Sequence, residues 1–233
     1  MAIVRQQGQL QHGQKSAIQD FKTVMNTVKK RNATTDATLA YIRQNIAVDD
    51  YLKHTIINVF VGNSDAGSNI RWCKEIKKNA KWKPILFDLD MGFGIFGKDE
   101  YKENSLDFFT SNKEKNVNYP TESTLLIRQI RQYDILRHQY ISLFFDALNT
   151  VFTSQPMDST LTSLLARTQD EMEHHRKRWN ISSLRYKRRL YRLRNFIENR
   201  PIVMCQQLYE HFDLSDSTTL EITVPKGGKV YFN

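Results

Sequence analysis

The chain has 233 residues, 40% of them hydrophobic and 25% charged, with only 9 glycines and 5 prolines. That composition suits a globular domain with a real core and excludes a low-complexity or collagen-like chain. The formal charge of +9 points to an anionic partner or a solvated basic face, and two distant cysteines exclude a disulfide framework.

Residues 1–15 are polar and Gln-rich and are expected to form a loose tail. Ile18, Phe21, Val24, Met25 and Val28 then recur at helical spacing. "NATTD" breaks that helix and offers caps for the next, which buries Leu39, Ile42 and Ile46. A third helix is expected from about Val48 to Val61, with Leu52, Ile56, Val59 and Phe60 inward and Gly62-Asn63 as its stop. Short strands are expected over 69–76 and 83–87 around the basic turn "KKNAKWK". Residues 98–121 read as a long polar loop. Beyond Thr121 the pattern is helical, and the last helix is placed from about Pro201, a residue suited to a first helical turn, to Phe212. "LEITVPKGGKVYFN" reads as a β-hairpin opening a further β-domain. The fold class expected is mainly α with a small β element, divided into a tail (1–15), a main domain (16–215) and the hairpin segment (216–233).

Chemistry concentrates between Asn58 and Gly97. One apolar run ends in Asn63-Ser64-Asp65, and a second ends in Asp88-Leu89-Asp90 before a Gly-rich tail. A strand that ends in these alternating aspartates is expected to project both carboxylates from the sheet edge on one face. Such oxygens suit a hard cation shared with phosphates. Two phosphoryl-transfer classes use this arrangement. Haloacid-dehalogenase-like phosphatases want Thr or Val where Gly92 stands, and alternating βα units that are not found here. Kinase-like enzymes place a catalytic Asp, an Asn a few residues on, then a metal-binding Asp before an aromatic-Gly element. Asp65, Asn69 and Asp88 with "MGFG" follow that order. Taken alone, "NSD" is a common turn.

The ordered set "YLKHTIINVFVGNSDAGSNIRWCKE", "KWKPILFDLDMGFG", "LLIRQIRQYDILRHQYISLFFDALNTVF", "HHRKRW" and "LRNFIENRPIVMCQQLYEHFDL" resembles the CotH kinase family over roughly residues 16–215. The resemblance implies a kinase-like C-lobe and transfer of the ATP γ-phosphate to protein Ser or Thr hydroxyls with Mg²⁺ or Mn²⁺. It implies Asp65 as the catalytic aspartate, Asp88 as the metal-binding aspartate, Asn69 and Asp90 as further metal ligands and Asn63 as a brace of the loop. Where the family often has a tandem Asn-Asn, this chain has Ser68-Asn69. The family's N-lobe, with its phosphate-binding Lys, is expected upstream of the present chain, which would then be a fragment and a poor kinase alone. The resemblance also implies an extracytoplasmic, spore-coat or cell-surface setting in a bacterium. The alternative is a non-catalytic coat or adhesion module on the same fold.

The basic stretch "HHRKRWNISSLRYKRRLYRLRNFIENR" supplies Arg176, Arg178, Arg185, Lys187, Arg188 and Arg189 as residues that could draw in an acidic or Ser-rich protein substrate. The bland reading is a solvated helix face. No zinc-finger spacing or aromatic RNA-binding motif accompanies it, so nucleic acid is not the expected partner. No run of about 18 apolar residues predicts a membrane span.

Overall fold

The computed structural model describes residues 1–6, 8–31, 34–67, 69–110, 123–215, 223–224 and 227–229. It is mainly helical with one small antiparallel sheet. The order is β1 (Ala2–Arg5), β2 (Leu10–His12), α1 (Ser16–Lys30), α2 (Asp36–Asn45), α3 (Val48–Val61), β3 (Arg71–Lys74), β4 (Lys83–Ile85), a 3₁₀ turn (Glu100–Lys102), α4 (Ser105–Thr110), α5 (Leu125–Ile130), α6 (Asp134–Asn149), α7 (Ser154–Arg178) and α8 (Ser183–Phe212).

The first fifteen residues are not a loose tail. The sheet runs β2-β1-β3-β4, with Ala2 opposite Lys74 and Arg5 opposite Arg71. Ala2 and Val4 are buried on one face while Ile3 and Arg5 are half-buried on the other. Two apolar residues are too short an alternation to stand out in sequence, and their partner strand lies beyond α3. Gly8, at φ 78°, makes the turn between β1 and β2.

Aromatic side chains join sheet to helices. Phe21 of α1 sits 5.7 Å from the Trp72 ring and 5.2 Å from the Trp82 ring, and Tyr51 of α3 stacks on Trp72 at 5.6 Å. The buried Trp82 indole donates to Asp20 Oδ2 at 2.9 Å, which also pairs with Lys74 Nζ at 2.8 Å. The N–H of a buried indole needs such a partner.

Helix α3 runs through the core and buries Leu52, Ile56, Val59 and Phe60, as its spacing predicts. It also buries His54, Thr55 and Asn58. A buried helix end must find partners for its last four carbonyls. Gly62, at φ 64°, and Asn63 return their N–H groups to Val59 O at 3.2 Å and Asn58 O at 3.1 Å. Phe93 N–H donates to Val61 O at 2.8 Å. Arg200, fully buried, donates to Phe60 O at 2.8 Å and Val59 O at 3.0 Å.

Two further expectations are corrected. The 98–121 segment holds the 3₁₀ turn and α4, anchored because Arg200 Nη1 donates to Tyr101 O at 2.7 Å and Glu103 O at 2.8 Å; residues 111–122 lie outside the described ones. The last helix does not begin at Pro201 but runs thirty residues through it. A proline removes the hydrogen bond to the carbonyl four residues back. That carbonyl, Ile197 O, accepts instead from Ser154 Oγ at 3.2 Å. The hairpin expected at 216–233 falls almost wholly outside the described residues.

Candidate active site

Two loops meet at the C-terminal end of α3. The first, 62–70, leaves α3 and enters β3. The second, 86–97, leaves β4. Both are tied to the same helix end, and to each other. Ser64 donates to Met91 O through both its N–H and its hydroxyl, at 3.3 Å each. Gly92 packs so close that an added Cβ would lie 2.8 Å from Val61 O. Only glycine fits there.

Asn63, buried to 2% exposure, braces the junction. Its Nδ2 donates to Asn58 Oδ1 at 2.9 Å and to Asp88 O at 3.1 Å. Its Oδ1 accepts from Asp65 N–H at 3.5 Å. One side chain thus joins helix α3, the Asp65 loop and the Asp88 loop. Asn58 continues the chain inward, with Nδ2 donating to His54 O at 2.9 Å and lying 3.4 Å from His54 Nε2. Burial holds the His54 imidazole down at about 4, so it is neutral at physiological pH.

Asn69 and Asp88 come together directly, Asn69 Nδ2 donating to Asp88 Oδ2. Asp65 is close enough to feel both other carboxylates. Burial first, then the charges of Asp88 and Asp90, push its pKa up, while hydrogen bonding from its own backbone and from Asn69 pulls it back. Asp88 and Asp90 are exposed.

The Asp88–Asp90 pair does not sit on a strand, as the sequence suggested. β4 ends at Ile85, and Asp88 has φ 59°. A left-handed residue ends the two-residue alternation, so the loop itself sets the directions of the two carboxylates. A non-glycine in this region is uncommon and costs of order 1 kcal/mol, which sites of function often carry. Phe93 repeats it at φ 59°, and Gly94 follows at φ 72°.

A family model described as CotH kinase protein matches residues 4–204. The chain belongs to the CotH kinase family. The match begins inside β1 and ends within α8, so it takes in the sheet, α3, both loops and the α7–α8 pair. No curated protein and no solved structure matches the chain.

The basic residues expected to draw in a substrate are spread over the α7–α8 pair. Arg176 and Arg189 line a cavity that Asp90 and Gly92 line from the other side. Arg178 lies over the ring of Trp179, its centre 5.6 Å away. Arg185, Lys187 and Arg188 are exposed. Asn58 and Arg200 were not singled out from sequence. Asn58 was legible as an amide inside an apolar helical run; the role of Arg200 needs partners on three distant elements. Among the described residues, no group of three His, Cys, Asp or Glu side chains is placed to hold a metal.

Proposed function

We propose that the chain is a metal-dependent phosphotransferase acting on Ser or Thr hydroxyls of a protein, with Asp65, Asn69 and Asp88 as its working residues. The observation that carries this is the joining of two loops at the end of one helix, where Asn63 holds both the Asp65 and the Asp88 backbone and Asn69 donates to Asp88. Burial first, and then the charges of Asp88 and Asp90, raise the pKa of Asp65, and a cation would relieve the charge repulsion. The donor set of hard carboxylate and amide oxygens fits Mg²⁺ or Mn²⁺ completed by ATP phosphates. When bound, the cation would neutralise charge on the phosphates during transfer.

Asp88 would hold the cation, with Asn69 and Asp90 beside it. The Asn69 amide now donates to Asp88; turned over, it would present its oxygen to the same space. Asp65, deeper and braced by Asn63, would orient the acceptor hydroxyl and take its proton. Because Asp65 titrates high when alone, it is a stronger base than an exposed aspartate. Positioning contributes most to such a reaction, and both loops are fixed to α3 by hydrogen bonds rather than left free. A spore-coat or cell-surface setting is proposed from the family alone.

The test is thermal unfolding with and without Mn²⁺-ATP, beside Asp88→Ala, followed by transfer of labelled γ-phosphate to a mixed protein acceptor. A ligand at a hundredfold excess over its Kd stabilises by about 2.7 kcal/mol. A rise that needs both metal and nucleotide and is lost in Asp88→Ala, with transfer lost in Asp65→Ala, is the expected result. Equal behaviour of wild type and Asp88→Ala would favour a non-catalytic coat or adhesion role.

A further inference from the structure

Beside the Asp88 loop the α7–α8 pair leaves a groove made of two adjoining cavities. The first, about 410 Å³, is floored by Leu161, Leu165, Met172 and Leu190 and is closed on one side by Asp90 and Gly92. The second, about 560 Å³, continues past Leu89 and Phe93 toward Phe152 and Met157. Leu161 and Leu193 line both. Each is large enough for an apolar side chain and its neighbours.

The rim of the first cavity carries Arg176, Arg189 and Arg192; Asp90 lines the same cavity, while Glu173 lies near Arg176 and Glu100 near Arg192. No Asp or Glu occurs between His174 and Ile197. Arg176 and Arg192 are held in place, Arg176 Nε donating to Ile181 O at 3.3 Å and Arg192 Nη1 to Ile95 O at 3.4 Å. Arg189 is exposed and makes no ion pair among the described residues. Helix α7 buries none of its residues, and Leu164 and Val151 stand 52% and 61% exposed along the outer side. An apolar floor under a rim that carries the exposed Arg189, two residues from Asp88, is shaped for one kind of chain.

We propose that this groove docks the acceptor protein through a segment in which acidic residues flank two apolar anchors, delivering a neighbouring hydroxyl to Asp65. The proposal rests on the phosphotransferase reading for its purpose, though not for its binding. Charge complementarity selects the segment: acidic side chains meet Arg189 and its neighbours on the rim, while apolar ones enter the two cavities. The floor is aliphatic rather than a set of stacking rings, which disfavours single-stranded nucleic acid. The surface is a groove rather than a flat apolar face, which disfavours a lipid bilayer.

The test uses the full chain and a fluorescein-labelled peptide in which Asp and Glu surround a Leu, a Phe and one Ser. Three controls accompany it: the same peptide with Lys for the acids, the same peptide with Gly for Leu and Phe, and poly-glutamate. Fluorescence anisotropy is read without nucleotide. The expected result is binding of the first peptide alone, weakened by added salt, by about fivefold in Arg189→Glu, and further in Leu165→Asp. Arg189 is exposed, so its substitution leaves the fold intact; circular dichroism checks Leu165→Asp. Equal binding of poly-glutamate, or no change in Arg189→Glu, would overturn the proposal. The two readings fail separately. Peptide binding without transfer would count against the phosphotransferase, whereas transfer unchanged in both groove variants would count against the groove.

Discussion

At the residue scale, the site is a short list of side chains whose ionisation differs between folded and unfolded chain. His54 is the clearest. Burial depresses it from 6.5 to about 4, so the unfolded chain binds a proton that the folded chain refuses. The stability it contributes is present above 6.5 and is lost as pH falls toward 4, by about 3 kcal/mol in all. His54→Gln should flatten that limb of a urea-midpoint-against-pH curve. Asp65 has the opposite sense. Its pKa is raised, so folding gains from it below the ordinary carboxylate range and loses that gain as pH climbs through the raised value. Asp65→Asn should therefore leave the metal-free protein more stable at neutral pH than wild type, measured by Tm, while abolishing transfer. Stability and activity would then be opposed at one atom pair, as is common where like charges are gathered for use.

At the element scale, the end of α3 is the junction on which both loops, α4 and α8 converge, and Arg200 is its central donor. Its guanidinium serves five acceptors: Val59 O, Phe60 O, Tyr101 O, Glu103 O and the Ser105 hydroxyl. Burial draws its pKa down to about 10, still high enough to stay charged. Arg200→Met, similar in length, should cost about 3–5 kcal/mol by denaturant titration, because it strands buried carbonyls rather than breaking one ion pair. This residue also marks where sequence reading runs out. The apolar spacing of α1, α2, α3 and α6 was legible because a helix face repeats within a few residues. The order Asp65, Asn69, Asp88 was legible as a series around a hairpin, and the contact of Asn69 with Asp88 is a product of the folded loops. Strand β1 was not legible, because it and its near partner β2 are only a few residues long and its other partner, β3, lies beyond three helices. The passage of α8 through Pro201 was not, because Ser154, on another helix, supplies the compensating donor. Asn58 could be noticed as an amide in an apolar run, but its role and that of Arg200 are to hold other residues, and only the set of their partners reveals them.

At the scale of the whole molecule, burial is uneven. α3 buries most of its residues, while α7 buries none and α8 only from Phe196 onward. Segments with few buried contacts open at lower free energy than the core. Amide hydrogen exchange in α7 and the first half of α8 should be faster than in α3 by orders of magnitude, and a peptide seated in the groove should slow it there first. The pairing of Ala2–Arg5 with Arg71–Lys74 has a different consequence, for the order of events when the chain is made. Helices α1, α2 and α3 can form from local contacts as soon as they emerge from the ribosome. The first strand can pair with β2 across the Gly8 turn, but its other edge must wait until β3 follows the Asp65 loop. Non-local pairing of this kind is the slow step in small domains. Completion of the sheet and closure of the 62–70 loop are thus one event in time, so a chain halted before β3 would have α1, α2, α3 and the β1–β2 pair in place but not the β1–β3 pairing that closes this loop.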